Sequence, residues 1–283
     1  MATFFNQATL TYNDNIINSN ITTGEIQEVI SATKTAVLDT YTQGDDVTYI
    51  INIRNTGTLA YNDLTLTDDL GSYTTGTLTL VPLTYAANSI NYFINGIPQA
   101  APAVTAGAPL IIGGINIPAG GVATIVYTAQ LNQFAPLDVG STINNTVTVS
   151  GGGITPVTAT ETITASQEAN LTITKSLTPT VVTENGQITY TFVIQNTGNT
   201  AVIATDNAVI TDTFDPILSN LAVTFNGAPW TAPANYSYNP ATGQFATNPG
   251  QITVPAATYT QDPVTGTYII EPGVSTLTIT GTV

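Results

Sequence analysis

Two of the three basic residues in this chain, Lys34 and Lys175, occupy matching places in two repeats of its sequence. Alternate residues of a β-strand share a face, and this parity puts each lysine on the apolar face of its strand. Later in each repeat an acid, Asp68 or Asp212, has the same inward parity. Asn145 heads a further inward set near the end of the first repeat. An amine, a carboxyl group and a carboxamide are therefore all predicted to lie in a β core.

A buried lysine beside a buried acid allows two kinds of chemistry. An unpaired buried ammonium is costly, so the first possibility is a Lys–Asp salt bridge with Asn as a hydrogen-bond partner. The second is a covalent bond, because an apolar pocket favours the neutral amine and the neutral acid. The amine would then attack the carboxamide carbon while the acid polarises the carbonyl and relays protons, and ammonia would leave. The residue pattern leaves both possibilities open.

The elements that must position these groups are predicted to be β-strands. Thr, Val, Ile and Tyr are frequent, Gly and Pro recur at short intervals, and the hydrophobic residues alternate without helical periodicity. Hydrophobic residues make up 42% of the chain and charged residues 7%, which indicates a packed core rather than a disordered polyanion. The predicted fold class is all-β: two tandem immunoglobulin-like β-sandwich domains preceded by an N-terminal donor β-hairpin arm.

An internal repeat sets the predicted domain organisation. Lys34 and Lys175 are separated by the same interval as Asn55 and Asn196, since 175 − 34 = 141 and 196 − 55 = 141. We expect residues 28–166 to form a complete sandwich that ends with the hairpin Ile143 to Ile163. Residues 167–283 should form a second sandwich without an equivalent of that hairpin. Such a domain would expose unpaired strand edges and part of its core.

The first stretch of the chain, within residues 1–27, is similar in pattern to the hairpin that closes the first sandwich. Asn6 opens an alternating set with Ala8, Leu10 and Tyr12, as Asn145 does in the later hairpin. Asn-Asp-Asn at 13 to 15 supplies residues that tolerate a positive φ in the turn. We therefore expect this arm to be a hairpin that completes the second sandwich of another copy.

Composition also limits the classes of function. A formal net charge of −15 argues against nucleic-acid binding, which needs basic patches. No apolar run approaches the length of a membrane span, and the start MATFFNQATL is not expected to be a secretory signal. With no His, no Cys and no phosphate-binding loop, we expect neither an enzyme nor a cofactor.

Two further sets of residues could bind a ligand but also have ordinary structural roles. Several acids in turns could in principle gather calcium, but they lack the Asp-x-Asp-x-Asp-Gly loop, so no metal site is expected: Asp45, Asp46, Asp63 and Asp69. Trp230 follows an Asn-Gly turn and could stack on a sugar or a partner. A tryptophan in a loop more often packs locally.

The ordered motifs in both repeats resemble a known surface-protein repeat. These motifs are a Lys strand, Gly-x-x-(Val/Ile)-Thr-Tyr, Asn-Thr-Gly, a strand ending in Thr-Asp and, in the first repeat, a late Asn-x-(Ala/Val)-Thr. They resemble the repeat called domain of unknown function eleven, which occurs in bacterial and archaeal cell-surface proteins. The Lys, Asp and Asn placement also resembles collagen-adhesin A-type domains, in which Asp promotes an intramolecular Lys–Asn isopeptide bond.

The resemblance implies a role for each of these residues. In the first domain it implies a Lys34–Asn145 isopeptide bond with Asp68 as promoter. Carried through the repeat, the same roles imply a bond between Lys175 of one copy and Asn6 of its neighbour, with Asp212 as promoter.

The predicted function is that of a structural subunit of an extracellular filament at a cell or spore surface. Copies would polymerise head to tail as the arm of one adds strands to the second domain of the next, and the partner would be another copy of the same chain. The alternative is an adhesin or binding-module fragment of a longer surface repeat protein, with an unknown ligand near Trp230.

Overall fold

The computed structural model describes residues 2–283. The described residues are strands and loops apart from one short 3-10 helix, Ala204–Asp206. They contain no helix with the length and apolarity needed to span a bilayer. The chain divides into two compact units, one comprising Met1–Ala135 with Ile143–Ile163 and the other Pro136–Thr142 with Thr164–Val283. The predicted all-β class is thus confirmed.

The N-terminal arm is a long hairpin whose strands pair only with one another among the described residues. Its strands are β1 (Ala2–Asn6), β2 (Thr9–Tyr12), β3 (Asn15–Asn18) and β4 (Thr22–Ile26). Asn13 and Asp14 make the two-residue turn with φ values of 46° and 59°, the left-handed conformation that such hairpin turns require. The predicted hairpin and its turn are therefore present.

The first sandwich is built from fourteen strands that follow the arm. They are β5 (Ile30–Ala36), β6 (Thr40–Tyr41), β7 (Asp46–Asn55), β8 (Tyr61–Asp68), β9 (Tyr73–Thr75), β10 (Leu78–Leu80), β11 (Leu83–Tyr85), β12 (Asn91–Ile94), β13 (Ile97–Pro98), β14 (Ala103–Thr105), β15 (Leu110–Ile117), β16 (Val122–Leu131), β17 (Thr142–Ser150) and β18 (Val157–Ala165).

Two six-stranded sheets enclose the core of the first sandwich. One runs β13-β12-β16-β7-β5, with β11 also on β16, and the other runs β14-β15-β8-β17-β18-β6. Strict alternation buries one face of each central strand, so the core is lined by residues with no exposed surface, among them Ile51, Ile53, Leu64, Leu66, Ile112, Ile125 and Val149. Alternation through Lys34 predicts that Leu38 also points inward, but β5 ends at Ala36 and Leu38, beyond it, is 64% exposed.

The second sandwich contains ten strands. They are β19 (Leu171–Thr178), β20 (Gln187–Asn196), β21 (Thr211–Thr213), β22 (Ser219–Phe225), β23 (Ala228–Trp230), β24 (Tyr236–Asn239), β25 (Gln244–Thr247), β26 (Thr258–Gln261), β27 (Tyr268–Glu271) and β28 (Gly273–Thr282). One sheet runs β19-β20-β28-β22-β23 and faces a smaller sheet β21-β25-β24, while β26 and β27 form a separate hairpin. Its core draws on both sheets, including Phe192, Phe245 and Leu277.

The two sandwiches differ beside the strand that carries the inward acid. In the first, β8 pairs with β15 on one edge and β17 on the other, and β18 and β6 continue the sheet. In the second, the corresponding strand β21 pairs with β25 on one edge, and no described strand pairs with its other edge. The segment that corresponds to β6 contains Val181 and Val182. The two strands that lie between β8 and β6 in the first sandwich have no counterpart among the described residues, and this missing pair beside β21 is called the two-strand gap.

Candidate functional site

Three strands of the first sandwich bring the predicted amine, carboxyl and carboxamide together. Lys34 lies in the middle of β5, Asp68 ends β8 and Asn145 lies in β17. The register of β17 on β8 places Val147 opposite Asp68, so Asn145 follows the same inward parity. The side chains of Lys34 and Asp68 have no exposed surface, and Asn145 is completely buried. The predicted inward orientation of all three residues is observed.

A continuous chain of hydrogen bonds links these groups. Lys34 Nζ donates to Asp68 Oδ2 over 2.7 Å. Tyr127 in β16 donates its hydroxyl hydrogen to the same Oδ2, also over 2.7 Å, and accepts a hydrogen bond from Asn145 Nδ2 at 3.1 Å. The other carboxylate oxygen, Oδ1, accepts from the backbone N–H of Leu70 at 3.1 Å. The acid therefore contacts the amine directly but reaches the carboxamide through a tyrosine.

Burial shifts the pKa values of two groups at this site. It lowers the pKa of Lys34 from 10.5 to about 8, against the opposing attraction of Asp68. Burial also raises the pKa of the Tyr127 hydroxyl well above its usual value, with a further contribution from the negative charge of Asp68. The lysine is thus shifted towards the neutral amine, which is the nucleophilic form, while the tyrosine keeps its hydrogen.

One buried oxygen of this site, Asn145 Oδ1, has no hydrogen-bond partner among the described residues. The Tyr49 hydroxyl lies close enough to Asn145 for the carboxamide to oppose the burial that raises the pKa of Tyr49. The rings of Tyr49 and Tyr127 stack with centroids 5.5 Å apart, and Lys34 Nζ lies 4.8 Å from the Tyr49 centroid. A buried carbonyl oxygen without a donor is costly. The Asn145 carboxamide is held by the hydrogen bond of its nitrogen. Its carbonyl oxygen has no hydrogen bond and is closed to solvent.

Tyr127 was not among the predicted site residues. It lies directly opposite Tyr49 in the pairing of β16 with β7, so strand parity could have placed its hydroxyl in the core beside the lysine. Nothing in the residue pattern distinguished it from a tyrosine that simply fills space, because its role depends on two strands distant in sequence.

The second sandwich repeats the pair of lysine and acid at an open edge. Lys175 in β19 forms an ion pair with Asp212 in β21, with side chains 39% and 18% exposed. Lys175 Nζ lies 4.4 Å from the ring centroid of Tyr190, as Lys34 lies over Tyr49. Strands β20 and β28 pair Tyr190 with Ile279, so an isoleucine stands where the first site has Tyr127. The hydroxyl that links acid and carboxamide in the first site has no equivalent here.

The carboxamide predicted for the second site lies in the arm. Asn6 ends β1, opposite Thr22 of β4, and its backbone carbonyl accepts a hydrogen bond from the Thr22 hydroxyl at 3.2 Å. The arm exposes a large part of its apolar side chains: Phe4 53%, Phe5 69%, Leu10 62%, Tyr12 68%, Ile16 70%, Ile17 58% and Ile21 58%. The arm thus presents an apolar hairpin with an asparagine at its base.

The other candidate residues have local structural roles. Trp230 stacks on Phe225 with ring centroids 4.8 Å apart. Asp45 accepts a hydrogen bond from the Thr42 N–H, and Asp69 accepts from the N–H groups of Gly71 and Thr146. No group of three or more potential metal ligands occurs in the part of the chain that the structure describes. These acids accept hydrogen bonds from nearby backbone groups rather than converging on a common centre.

Comparison with known proteins gives similarity of structure only. No protein-family model and no curated protein sequence matches the chain, so the resemblance to domain of unknown function eleven stays a prediction. The chain is similar to the pilus backbone of Streptococcus pneumoniae, with 13% identity, a TM-score of 0.35, and coverage of 86% of this chain and 55% of that one. It therefore spans about half the length of that pilus protein.

Two further pilin structures show the same level of similarity. A C-terminal fragment of the major pilin of Streptococcus agalactiae has 13% identity and a TM-score of 0.36, covering 86% of this chain and 91% of the fragment. The major pilin subunit of Bacillus cereus has 10% identity and a TM-score of 0.35, covering 95% and 73%. These TM-scores do not carry a functional assignment, which depends on the geometry of the chain.

Proposed function

We propose that this chain is a structural subunit of an extracellular filament, in which the arm of one copy completes the second sandwich of the next. Each joint would place two strands of the arm in the two-strand gap beside β21. The observation that carries the proposal is that β21 has an unpaired edge where β8 of the first sandwich pairs with a hairpin, while the arm is a hairpin whose strands pair only with one another among the described residues.

Exposure of matched positions supports the same assignment. Ile30 and Tyr41 of the first sandwich are 8% and 1% exposed, whereas their counterparts Leu171 and Val182 are 41% and 39% exposed. Val181 is 85% exposed beside them. An apolar surface of this kind beside an unpaired strand edge is typical of a site for strand addition. The exposed apolar residues of the arm supply a matching partner.

The register of the joint follows from the first sandwich. There, Val147 lies opposite Asp68 and Val149 opposite Leu66. If the arm repeats this pairing, Ala8 lies opposite Asp212 and Leu10 opposite Ile210. Asn6 then enters beside Lys175, as Asn145 enters the site of Lys34.

Each site would then form an isopeptide bond without an external reagent. The neutral lysine amine attacks the carboxamide carbon, the C–N bond to the side-chain nitrogen breaks, and one ammonia leaves. The first sandwich would be locked internally through Lys34 and Asn145, promoted by Asp68. Successive copies would be joined through Lys175 and Asn6, promoted by Asp212. Covalent joints give a filament resistance to heat and denaturant in a chain that has no cysteine for disulfides.

Mixing two single variants tests the joint. Lys175→Ala can donate its arm but cannot accept covalently, and Asn6→Ala can accept but cannot donate. After boiling in detergent, each variant alone should migrate as a monomer, while their mixture should give one covalent dimer and no higher species. The unmutated chain should give a ladder. A monomer band alone from the mixture and from assembled wild-type material would contradict the covalent joint.

Removing residues 2–26 tests strand addition separately from the bond. We expect monomers by negative-stain microscopy and by light scattering, because the gap beside β21 then has no partner. Filaments from the truncated chain would contradict the proposal. Monomers from the intact chain would favour the alternative of a repeat taken from a longer surface protein.

Immunogold labelling of intact cells and of spores would establish which surface carries the filament.

A further inference from the structure

The Tyr127 hydroxyl lies between the two groups that must exchange a proton in the first site. It donates to Asp68 Oδ2 at 2.7 Å and accepts from Asn145 Nδ2 at 3.1 Å. Asp68, Asn145 and Tyr127 have no exposed surface. Solvent therefore cannot deliver protons to the carboxamide nitrogen along this path, and the tyrosine is the group that connects it to the acid.

We propose that Tyr127 is a catalytic residue of isopeptide formation, carrying a proton from Asp68 to the leaving nitrogen of Asn145. The assignment rests on the intramolecular Lys34–Asn145 bond proposed above and adds a residue to its mechanism. Amide nitrogen leaves poorly as an anion, so it must gain a proton before its bond to carbon breaks. Tyr127 is the hydroxyl that bonds both to that nitrogen and to Asp68.

The proton transfers of the reaction take place among four side chains: Lys34, Asp68, Tyr127 and Asn145. The neutral Lys34 amine attacks the Asn145 carboxamide carbon, and the new bond leaves a proton in excess on Nζ. Asp68 Oδ2 accepts this proton and passes it to the oxygen of Tyr127 as the tyrosine gives its own hydrogen to Nδ2. The C–N bond then breaks, ammonia leaves, and Asp68 and Tyr127 return to their starting forms. One carboxylate oxygen serves both transfers because Lys34 and Tyr127 both bond to Oδ2.

The second sandwich shows that packing alone does not require this hydroxyl. Ile279 takes the place of Tyr127 opposite Tyr190 and is fully buried, so an aliphatic side chain is compatible with the same strand pairing. The hydroxyl is therefore specific to the site whose carboxamide lies within the same sandwich.

A pair of tyrosine variants separates the relay from packing. Tyr127→Phe removes the relay hydroxyl, whereas Tyr92→Phe removes a hydroxyl of the same sandwich that bonds only to the backbone of Asn116, outside the Lys34 site. Each chain, isolated unreacted in denaturant, is refolded, quenched with acid at intervals and weighed by intact-mass spectrometry. Tyr127→Phe should lose ammonia about 100-fold or more slowly than the unmutated chain, the usual range for a lost acid-base group. Tyr92→Phe should react near the unmutated rate.

Solvent isotope substitution adds a readout that a purely structural role would not change. The unmutated chain should react more slowly in heavy water because proton transfer through Tyr127 is part of the slow step, and Tyr127→Phe should show a different isotope effect. Equal rates for both variants, or an unchanged isotope effect, would overturn the assignment to Tyr127. An unmutated chain that keeps its full mass would instead overturn the isopeptide bond itself.

Discussion

The two lysine sites each contain a lysine, an acid and a tyrosine ring, but they differ in their exposure to solvent. Lys34 and Asp68 form an ion pair with both side chains fully buried, while Lys175 and Asp212 form theirs with side chains 39% and 18% exposed. Each lysine lies over a tyrosine ring, Tyr49 or Tyr190. The difference is the covering hairpin, β17 and β18, which the first sandwich has and the described part of the second does not.

This difference shows what the covering hairpin supplies. It provides the carboxamide, and it also removes water, which lowers the pKa of Lys34 to about 8. Burial favours the neutral, nucleophilic amine, and the open second site does not supply that burial, since the Lys175 side chain is 39% exposed. Docking of an arm would therefore deliver the reaction partner and the desolvation in one event. Reaction before docking is disfavoured for the same reason.

The largest expected effect comes from the parity of the arm. In the proposed register Leu10 points into the second sandwich and Thr9 points away. Leu10→Asp should abolish filaments, because it would bury a charge against an apolar surface, while Thr9→Asp should still assemble. Negative-stain microscopy and the boiled-gel ladder give the measurement. Loss of assembly in Thr9→Asp with normal assembly in Leu10→Asp would mean that the docked hairpin has the opposite face inward.

Removing each acid in turn should affect the two sandwiches unequally. In the chain that lacks residues 2–26, Asp68→Ala leaves a buried lysine without its partner and should lower the free energy of unfolding by about 3–5 kcal/mol. This variant should also retain the ammonia that the unmutated chain loses, so its intact mass is higher by one ammonia. Asp212→Ala in the same arm-deleted chain should cost about 0–1 kcal/mol, since Lys175 remains in contact with water. Guanidinium denaturation followed by intact-mass measurement tests both. Equal losses would show that the open site is as dependent on its acid as the closed one.

The pH dependence of the first site should follow the lowered pKa of Lys34. Since the neutral amine is the reactive form, its fraction and the rate of ammonia loss should rise about tenfold per pH unit below pH 8 and level off above it. With an ordinary lysine pKa the same rise would continue to about pH 10. Refolding at a series of pH values with an acid quench gives the profile. A rate that does not change below pH 8 would contradict control by Lys34.

The smallest expected effect is chemical labelling of the lysines, which leaves the fold unchanged. An amine-reactive reagent should label Lys175 in the arm-deleted chain, because the side chain is 39% exposed, and should not label Lys34. In assembled filaments Lys175 should also resist labelling. Peptide mapping by mass spectrometry measures both. A Lys175 amine that stays reactive throughout mature filaments would argue against the covalent joint.

Much of the fold followed from local pattern. Two-residue alternation predicted the inward parity of Lys34, Asp68 and Asn145, and all three are buried. Asn-Gly is a typical hairpin turn, and Asn95-Gly96 and Asn226-Gly227 both join paired strands. Strand ends were less well predicted, as at Leu38: β5 ends at Ala36, opposite Tyr49, although its partner β7 extends to Asp46. The point at which two paired strands separate depends on tertiary structure and not on local alternation.

The sequence by itself determined the all-β class, the repeat, and which face of each strand carries the lysine and the acid, because these depend on alternation within short segments. Only the tertiary structure decided how the groups meet. It placed Tyr127 between Asp68 and Asn145 and left the carbonyl oxygen of Asn145 without a donor. It also decided that one lysine is sealed from water and the other open. Contacts and solvent exclusion depend on strands brought together from distant parts of the chain, which no local pattern records.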